Sequence, residues 1–581
     1  MADLRTRRWA IALLLAATAL PASAQEEGAV AQRGSGGDIV AYEQIHGATL
    51  GRGGMVASQS APATRVGTEI LRQGGNAVDA AIATAFAEAV TLPRAGNLGG
   101  GGYMVVHMAA RDGKPATTIT INYYGLAPRA TTPSLLLGTD GKQDPSKVMS
   151  FKGVAVPGTV AGLWEAHQRF GTLPWAKLVE PAIRLARDGV PLSDGEAEAT
   201  AGRAKMMARD PGARAAFFKP DGSPYAPGEL FRQPNLAWSL EQIASRGRDG
   251  FYKGELARRL VAGIKAGGGV IDARDLADFK AAVAPPIWSS YRGQRIAYMP
   301  PTASGVSVAE AMNILETFPL KQYGWGSVNT LHLISEAMKI ASSDRRFVGG
   351  EPQWKTPAIG LASKAYAAER AKLITLNGSL TAATLPDGNP YRHESPDTTH
   401  FSVADKDGNA VANTYTLTAS YGAHVVAPGT GFLLNNSLGN FAWGSKDPAR
   451  KATWPAPGKR LGSTITPMIV FRGEKPWLVT GTPGGGYIIA PMVQVLVNAI
   501  DFNLNIAEAA ERPRLNQGAA DAPLELESGF SPDIIPLLEA RGHKVRLSNT
   551  MGSTQSIMIE GDKFMGASDT RRPDALALGV R

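Results

Sequence analysis

A mixed α and β fold, with a strand-rich centre and helices before and after it, is predicted by three features of the chain. Residues 156 to 318 carry helical patterns punctuated by glycine stops. The 184 residues from Thr398 to the end read largely as strands. At the junction, Phe401 and Val403 alternate with His400 and Ser402 ahead of an Asp407-Gly408 turn signal. With 581 residues, 44% of them apolar, a large packed core is readily formed.

Taken in order, residues 1 to 24 stand outside that fold. Arg5, Arg7 and Arg8 precede an apolar run from Trp9 to Leu20, too short to span a bilayer, and Ala22-Ser23-Ala24 offers a small-residue cleavage site. We read a secretory signal cut after Ala24 and a protein that works in the periplasm or outside the cell, with no membrane anchor once the signal is gone. Gln25 to about Asp38 is polar and glycine-bearing, a leader without core-forming residues. Pro62 to Gln73 has helical spacing and stops at Gly74-Gly75, and Asn76 is placed to cap an alanine-rich helix over Ala77 to Val90. Gly99 to Gly102 then leads into strands over Tyr103 to Met108 and Thr117 to Tyr123. Four consecutive glycines between a buried helix and a strand mark a close backbone approach, to another strand or to a ligand. No lysine follows them, and the spacing does not fit a phosphate loop.

Helices are expected over Thr159 to Phe170, Trp175 to Arg187, Leu256 to Ala266, Ser307 to Phe318 and Val328 to Ala341. Leu376 to Pro396 is rich in turn formers and reads as an exposed loop leading to Asp397-Thr398. Beyond it, strands over Met468 to Phe471 and Trp477 to Thr480 flank a turn at Arg472-Gly473-Glu474. A second glycine run, Gly484-Gly485-Gly486, precedes a helix over Ile488 to Ile500, and Ser531-Pro532 opens another that reaches Ala540. There is no repeat, and no linker long enough to separate independent domains.

Composition excludes several function classes. The formal charge is +9, and cutting after Ala24 removes three Arg and one Asp to leave +7, spread without runs. That fits solubility and attraction of anionic small substrates better than nucleic-acid binding. No cysteine means no disulfide and no thiolate metal site. The eight histidines are scattered, with no HExxH pattern, so neither a metal nor another cofactor is expected.

The chemistry centres on Asp397-Thr398-Thr399-His400-Phe401-Ser402-Val403. A threonine at the head of a strand becomes a nucleophile when a base takes its proton, and its own α-amine, freed by a cut before Thr398, can do so. A strict two-residue turn at Asp407-Gly408 lays Thr398 opposite Leu417, while a longer or bulged loop lays it opposite Thr416 or Thr418. Thr399 falls on the other face, in a structural role. Gly484-Gly485-Gly486 sits between a strand and a helix, where successive N–H groups can converge on an anion.

The segment Thr398-Thr399-His400-Phe401-Ser402-Val403 closely resembles the γ-glutamyltransferase (glutathione hydrolase) family. So do Gly54 to Gln59, Gly74 to Ala81, Ala95 to Met104, Val156 to Gly162, Leu185 to Gly189, Ser290 to Gly293, Gly431 to Asn436 and Val479 to Gly486, in family order over nearly all of the chain after about residue 45. The resemblance implies the N-terminal-nucleophile hydrolase fold, a four-layer αββα sandwich of the α+β class. It also implies self-cleavage between Asp397 and Thr398 into a large subunit, 25–397, and a small catalytic subunit, 398–581, that stay together as a heterodimer. It makes Thr398 the nucleophile, Thr416 the threonine that assists it, and Gly484 and Gly485 the oxyanion hole.

Substrate recognition departs from the family pattern. Where the family has an arginine that grips the substrate α-carboxylate, this chain has Tyr124. Thr418 stands for an asparagine, Ser437 for a glutamine or glutamate, and Asn440 for an aspartate, while Arg460, Ser463 and Thr464 largely keep the Arg-x-x-Ser-Ser run. An ammonium held by a carboxylate contributes about 1.5–3 kcal/mol, so Asn440 alone weakens a glutamyl group's hold substantially. Arg94 is either a replacement cation or a surface arginine. Three functions follow from the resemblance: a γ-glutamyl hydrolase or transferase with a remodelled pocket, an acylase for dicarboxylic monoamides or β-lactam side-chain amides, and an inactive secreted binding scaffold.

Overall fold

The computed structural model of the protein describes residues 46–345, 358–385 and 398–581. The expected signal, the leader, Asp397 and the part of the 376–396 loop beyond residue 385 lie outside these. Two seven-stranded antiparallel sheets are stacked between two layers of helices, a four-layer αββα sandwich. The first sheet runs Leu576–Val580, Gly54–Ser58, Thr399–Asp405, Ala410–Thr416, Gly101–Met108, Thr117–Asn122, Ala282–Ala284. The second runs Thr49–Gly51, Lys563–Ser568, Gln555–Glu560, Lys475–Thr480, Met468–Arg472, Gln294–Tyr298, Ile287–Tyr291.

Alternation along the hairpin decides which residues face which layer. Phe401, Val403, Val411 and Tyr415 point into the helical layer that contains Ala77–Thr91. Ala404, Ala410 and Ala412 point between the sheets, and their small size lets the sheets approach. Helices Gly305–Leu315, Val328–Asp344 and Ile489–Ile500 join the core on the far side of the second sheet.

The helix Ala77–Thr91 starts as its sequence predicts. Asn76 accepts from the N–H groups of Val78 and Asp79 at 2.9 and 3.0 Å, and the Asp79 carboxylate accepts from the Asn76 N–H at 3.1 Å. Every residue from Ala77 to Val90 is buried, and the alanines allow that close packing.

The hairpin register is fixed by Asp405. Its Oδ1 accepts from the N–H groups of Asp407 and Asn409, both at 3.0 Å, and its Oδ2 accepts from Asn409 Nδ2 and from the Ala77 N–H, both at 2.8 Å. The loop is therefore three residues, Thr399 pairs with Tyr415, and Thr398 lies across from Thr416. The strand itself begins at Thr399, one residue later than expected.

The first glycine run answers to strands, not to a ligand. A Cβ added at Gly99 would sit 2.0 Å from the Leu433 carbonyl oxygen, at Gly100 2.3 Å from that of Thr416, and at Gly102 2.4 Å from that of Thr414. Several helices differ from expectation in their bounds: the one expected over Leu256 to Ala266 starts at Gly254, and the one over Val328 to Ala341 runs on to Asp344. The one placed at 307–318 spans Gly305–Leu315. The one expected to open at Ser531-Pro532 begins at Ile534, because residues 531–535 first make a turn in which the Ile534 and Ile535 N–H groups bond the Ser531 and Pro532 carbonyls.

Candidate active site

Thr398 and Thr416 meet at the buried head of the hairpin. The Thr398 hydroxyl donates to Thr416 Oγ at 3.3 Å, and the same oxygen accepts from the Thr418 N–H at 2.8 Å. Thr418 carries φ +82°, a left-handed conformation that costs a β-branched residue about 1–3 kcal/mol. Local contacts hold it there: its hydroxyl lies 2.6 Å from Ser437 Oγ and 2.8 Å from the Tyr124 hydroxyl.

Those bonds join all four positions that depart from the family pattern. Asn440 Nδ2 donates to the Tyr124 hydroxyl at 3.2 Å and to the Gly462 carbonyl at 3.1 Å, completing a chain Ser437, Thr418, Tyr124, Asn440. Every member is uncharged. The Tyr124 ring stacks on Tyr103, with centroids 5.4 Å apart. Arg460 lies beneath it, donating to the main-chain carbonyls of Tyr124 at 3.3 Å and Lys280 at 2.7 Å. Ser463 is tied across to Thr302, whose carbonyl accepts from its N–H at 3.1 Å, and to its own loop, its Oγ accepting from the Ile465 N–H at 3.3 Å. Thr464 is buried beside it. Buried Asn435 braces this wall, bonding the carbonyls of Gly99 and Ala155 through Nδ2 and the N–H groups of Ala155 and Ser437 through Oδ1.

Gly484 and Gly485 follow the strand Lys475–Thr480 and enter a short 3₁₀ turn before the helix Ile489–Ile500. Their φ values are +140° and +52°, both residues are buried, and neither N–H donates to any group among the described residues. Two buried N–H groups without a partner among the described residues are unusual. His400 links this turn to Thr398: its ring fills the space where a Gly481 Cβ would stand, 2.3 Å from it. Ser402 Oγ donates to the Gln555 carbonyl at 2.8 Å, so it must accept from His400 Nε2–H at 3.0 Å, which leaves Nδ1 to accept from the Thr414 hydroxyl at 2.7 Å. Burial pushes His400 down to about 3 and keeps it neutral.

Sequence reasoning missed Glu88. It is fully buried on the helix behind the hairpin, 3.2 and 3.3 Å from Thr399 Oγ, and burial pushes its carboxyl up to about 8. The signal was present as the one acidic residue in the apolar second half of that helix. Arg94 is not the surface residue of one reading. Its Nε lies 2.6 Å from buried Glu196, so its charge is already matched. Histidines scattered in sequence also meet in space: His332, Glu336 and His543 are buried with ligating atoms within 4.8 Å of one another. The cation beside that carboxylate is Lys339, whose Nζ bonds Glu336 Oε1 at 2.9 Å and the Leu380 carbonyl at 2.9 Å.

A threonine pair at the head of a central strand, facing the space between the two sheets of an αββα sandwich, defines the architecture of an N-terminal-nucleophile amidohydrolase. Comparison with known proteins narrows the class. Residues 63–579 match the family model described as gamma-glutamyltranspeptidase. The chain is 41% identical over 585 residues to the glutathione hydrolase proenzyme of Escherichia coli (strain K12), covering 99% of both. It is 38% identical to the acylase ACY 1 proenzyme of Pseudomonas sp. (strain SE83), covering 91% of this chain and 94% of that one. Among solved structures it is similar to cephalosporin acylase from Bacillus halodurans, with a TM-score of 0.82 and 31% identity over 92% of this chain and 97% of that one. The chain belongs to the γ-glutamyltranspeptidase family and is an enzyme of its amidohydrolase type.

Proposed function

We propose that the protein is a self-processing N-terminal-threonine amidohydrolase whose acyl pocket has been turned from the glutamyl zwitterion toward an uncharged acyl group. The cut falls between Asp397 and Thr398, giving pieces 25–397 and 398–581. Strand order supports their remaining together: Thr399–Asp405 and Ala410–Thr416 are inserted between Gly54–Ser58 and Gly101–Met108, so both sheets contain strands from both pieces. Export to the periplasm or medium through residues 1–24 belongs to the same reading, supported by the basic start, apolar run and Ala22-Ser23-Ala24. Among the described residues no helix is long and apolar enough to cross a membrane.

In this mechanism the freed α-amine of Thr398 takes the hydroxyl proton as Oγ attacks the amide carbonyl. The N–H groups of Gly484 and Gly485 receive the oxyanion, and the leaving amine departs with the proton. Water then attacks the ester on Thr398 Oγ and releases the acid. Thr416 orients Thr398 Oγ in both steps.

The observation that carries the substrate reading is the uncharged chain Ser437, Thr418, Tyr124, Asn440. A glutamyl group brings an ammonium and a carboxylate, and each unmatched charge forfeits about 1.5–3 kcal/mol. Arg460, the cation that remains, is committed to main-chain carbonyls. β-Lactam side-chain amides with an uncharged acyl group suit such a pocket best, and a dicarboxylic monoamide, with one carboxylate and no ammonium, brings one unmatched charge fewer than a glutamyl group. A γ-glutamyl substrate is the second reading, favoured by the 41% identity to a glutathione hydrolase proenzyme along the full chain. The inactive-scaffold reading is opposed by the joint presence of the threonine pair and the two unspent glycine donors.

Intact-mass analysis followed by aniline release tests these in order. Thr398→Ala is expected to remain one chain; two fragments from that variant would move the nucleophile elsewhere. Turnover of acyl-anilides lacking the α-amino group, well above γ-glutamyl-anilide, is the expected result for the matured enzyme. The reverse ranking would restore the glutamyl reading.

A further inference from the structure

Glu88 has no place in the mechanism above, yet it sits one residue from its centre. The carboxyl lies 3.2 and 3.3 Å from Thr399 Oγ, and Thr399 shares a peptide bond with Thr398. The hairpin places these neighbours on opposite faces. Thr398 looks between the sheets toward Thr416, and Thr399 looks into the helical layer toward Glu88. Whatever fixes Thr399 Oγ therefore fixes the tilt of the peptide that carries the nucleophile.

The surroundings make Glu88 an anchor of variable strength. It is enclosed on the helix Ala77–Thr91 with no basic side chain among its recorded interactions. From the hairpin it faces Tyr415, whose hydroxyl donates to the Ala85 carbonyl at 2.8 Å. From the end of the strand Thr117–Asn122 it faces Tyr123, whose hydroxyl donates to Asn413 Oδ1 at 2.5 Å. The strand Gly54–Ser58 and its continuation contribute the Ser58 side chain and the Gln59 main chain, neither titratable. Burial raises both phenols far above their usual range, so they stay neutral throughout. Burial also holds Glu88 in its acid form up to about pH 8, against weaker opposition from the Thr399, Tyr415, Gln59 and Ser58 hydrogen bonds.

We propose that Glu88 is a positioning residue that, as a neutral acid, seats Thr399 and thereby aims Thr398, so that ionising Glu88 slows turnover by loosening the nucleophile. Among the described residues no other group recorded against Glu88 titrates near neutrality. The freed Thr398 α-amine titrates close by, but as the base it must lose its proton, so it adds a rising limb and cannot produce a falling one. A carboxylate trapped there without a counter-charge draws water or shifts its helix, and the Thr399 anchor goes with it.

This rests on Thr398 being the nucleophile, and the Thr398→Ala variant tests that premise separately. The experiment is the pH dependence of kcat from pH 6 to 10, with matured wild type, Glu88→Gln and Thr399→Val, on an acyl-anilide the wild type accepts. Wild type should show a falling limb setting in near pH 8, steepening toward roughly tenfold per pH unit. Glu88→Gln, a permanent mimic of the neutral acid, should keep near-wild-type kcat at pH 7 and lose that limb. Thr399→Val, with the link cut, should be slower at pH 7 and equally flat above it. A falling limb shared by wild type and Glu88→Gln overturns the proposal, as does its absence in wild type. If Glu88→Gln fails to mature, the Thr399→Val profile decides: a retained limb overturns the proposal and a flat one supports it. Should Thr398→Ala still mature into two chains, the nucleophile assignment falls whatever the Glu88 profiles show.

Discussion

The two glycine runs look alike in sequence and do opposite things. At Gly99 to Gly102 the backbone is pressed against carbonyl groups of neighbouring segments, and missing side chains are what let the segments meet. At Gly484 the nearest atom to an added Cβ is the Gly552 Cα at 3.3 Å, a tight contact and not a clash, while both Gly484 and Gly485 take positive φ, that of Gly484 rarely open to L-residues, and leave their N–H groups unspent among the described residues. One run closes the fold and the other holds a donor pair open. A glycine cluster is thus interpreted by what its absent side chains would touch and where its N–H groups go.

Substitution separates the two most sharply. Gly100→Ala drives a methyl to 2.3 Å from the carbonyl of Thr416, the residue whose hydroxyl accepts from Thr398. Backbone cannot yield there without opening the sheet, so a loss above about 4 kcal/mol is expected, read as loss of soluble protein or a collapse in Tm. Gly484→Ala should instead fold and mature while losing about 10²–10³ in kcat, because an L-residue cannot hold φ +140° and the turn that aims its N–H must rotate. If Gly484→Ala unfolds the protein while Gly100→Ala leaves it intact, the distinction between the runs is wrong.

Tyr124→Phe probes the wall that the first run supports, since Tyr124 Cα lies 3.1 Å from a Cβ added at Gly101. Removing the hydroxyl takes one partner from Thr418 and one from Asn440, which keeps the Gly462 carbonyl. A cost of about 1 kcal/mol is expected, appearing as a several-fold rise in KM for the preferred acyl-anilide with kcat little changed. A change in kcat alone would move Tyr124 from the pocket to the reaction.

Much of this arrangement was legible before the coordinates. Asn76 as a cap, the helix over Thr159–Phe170 and the strand-to-helix setting of Gly484 follow from local chemistry, and they hold. The hairpin register was open among three choices because it turns on which groups the Asp405 carboxylate takes, Asp407 and Asn409 close by and the Ala77 N–H 328 residues away in sequence. Glu88 stayed hidden for a similar reason. A glutamate in a helix reads as solvent-facing until the sheet that covers it is in place. Arg94 likewise acquires its meaning from Glu196, a partner that no spacing rule connects, and although Glu336 and Lys339 are an ordinary i, i+3 helix pair, His543 reaches them from 211 residues beyond His332.

The smallest effect at neutral pH concerns His400, whose ring packs the strand Thr399–Asp405 against Gly481, just before the second run. Its folded-state value of about 3 lies below the usual 6.5, so between those limits the unfolded chain binds the proton more readily than the folded one. Stability from neutral His400 is therefore complete above about pH 6.5 and drains away as the pH falls toward 3. His107, lowered by burial to about 4, adds to the same slope. Glu88 acts in the opposite sense, its contribution shrinking as the pH rises from 4.5 through 8. Wild-type Tm should thus decline on both sides of a maximum. His400→Gln should begin lower at pH 7, having lost the Thr414 and Ser402 fit, yet lose less between pH 6.5 and 4. Parallel acid slopes for the two proteins would mean that His400 is not what ties the second run to the sheet as a neutral ring, and that other groups govern the acid limb.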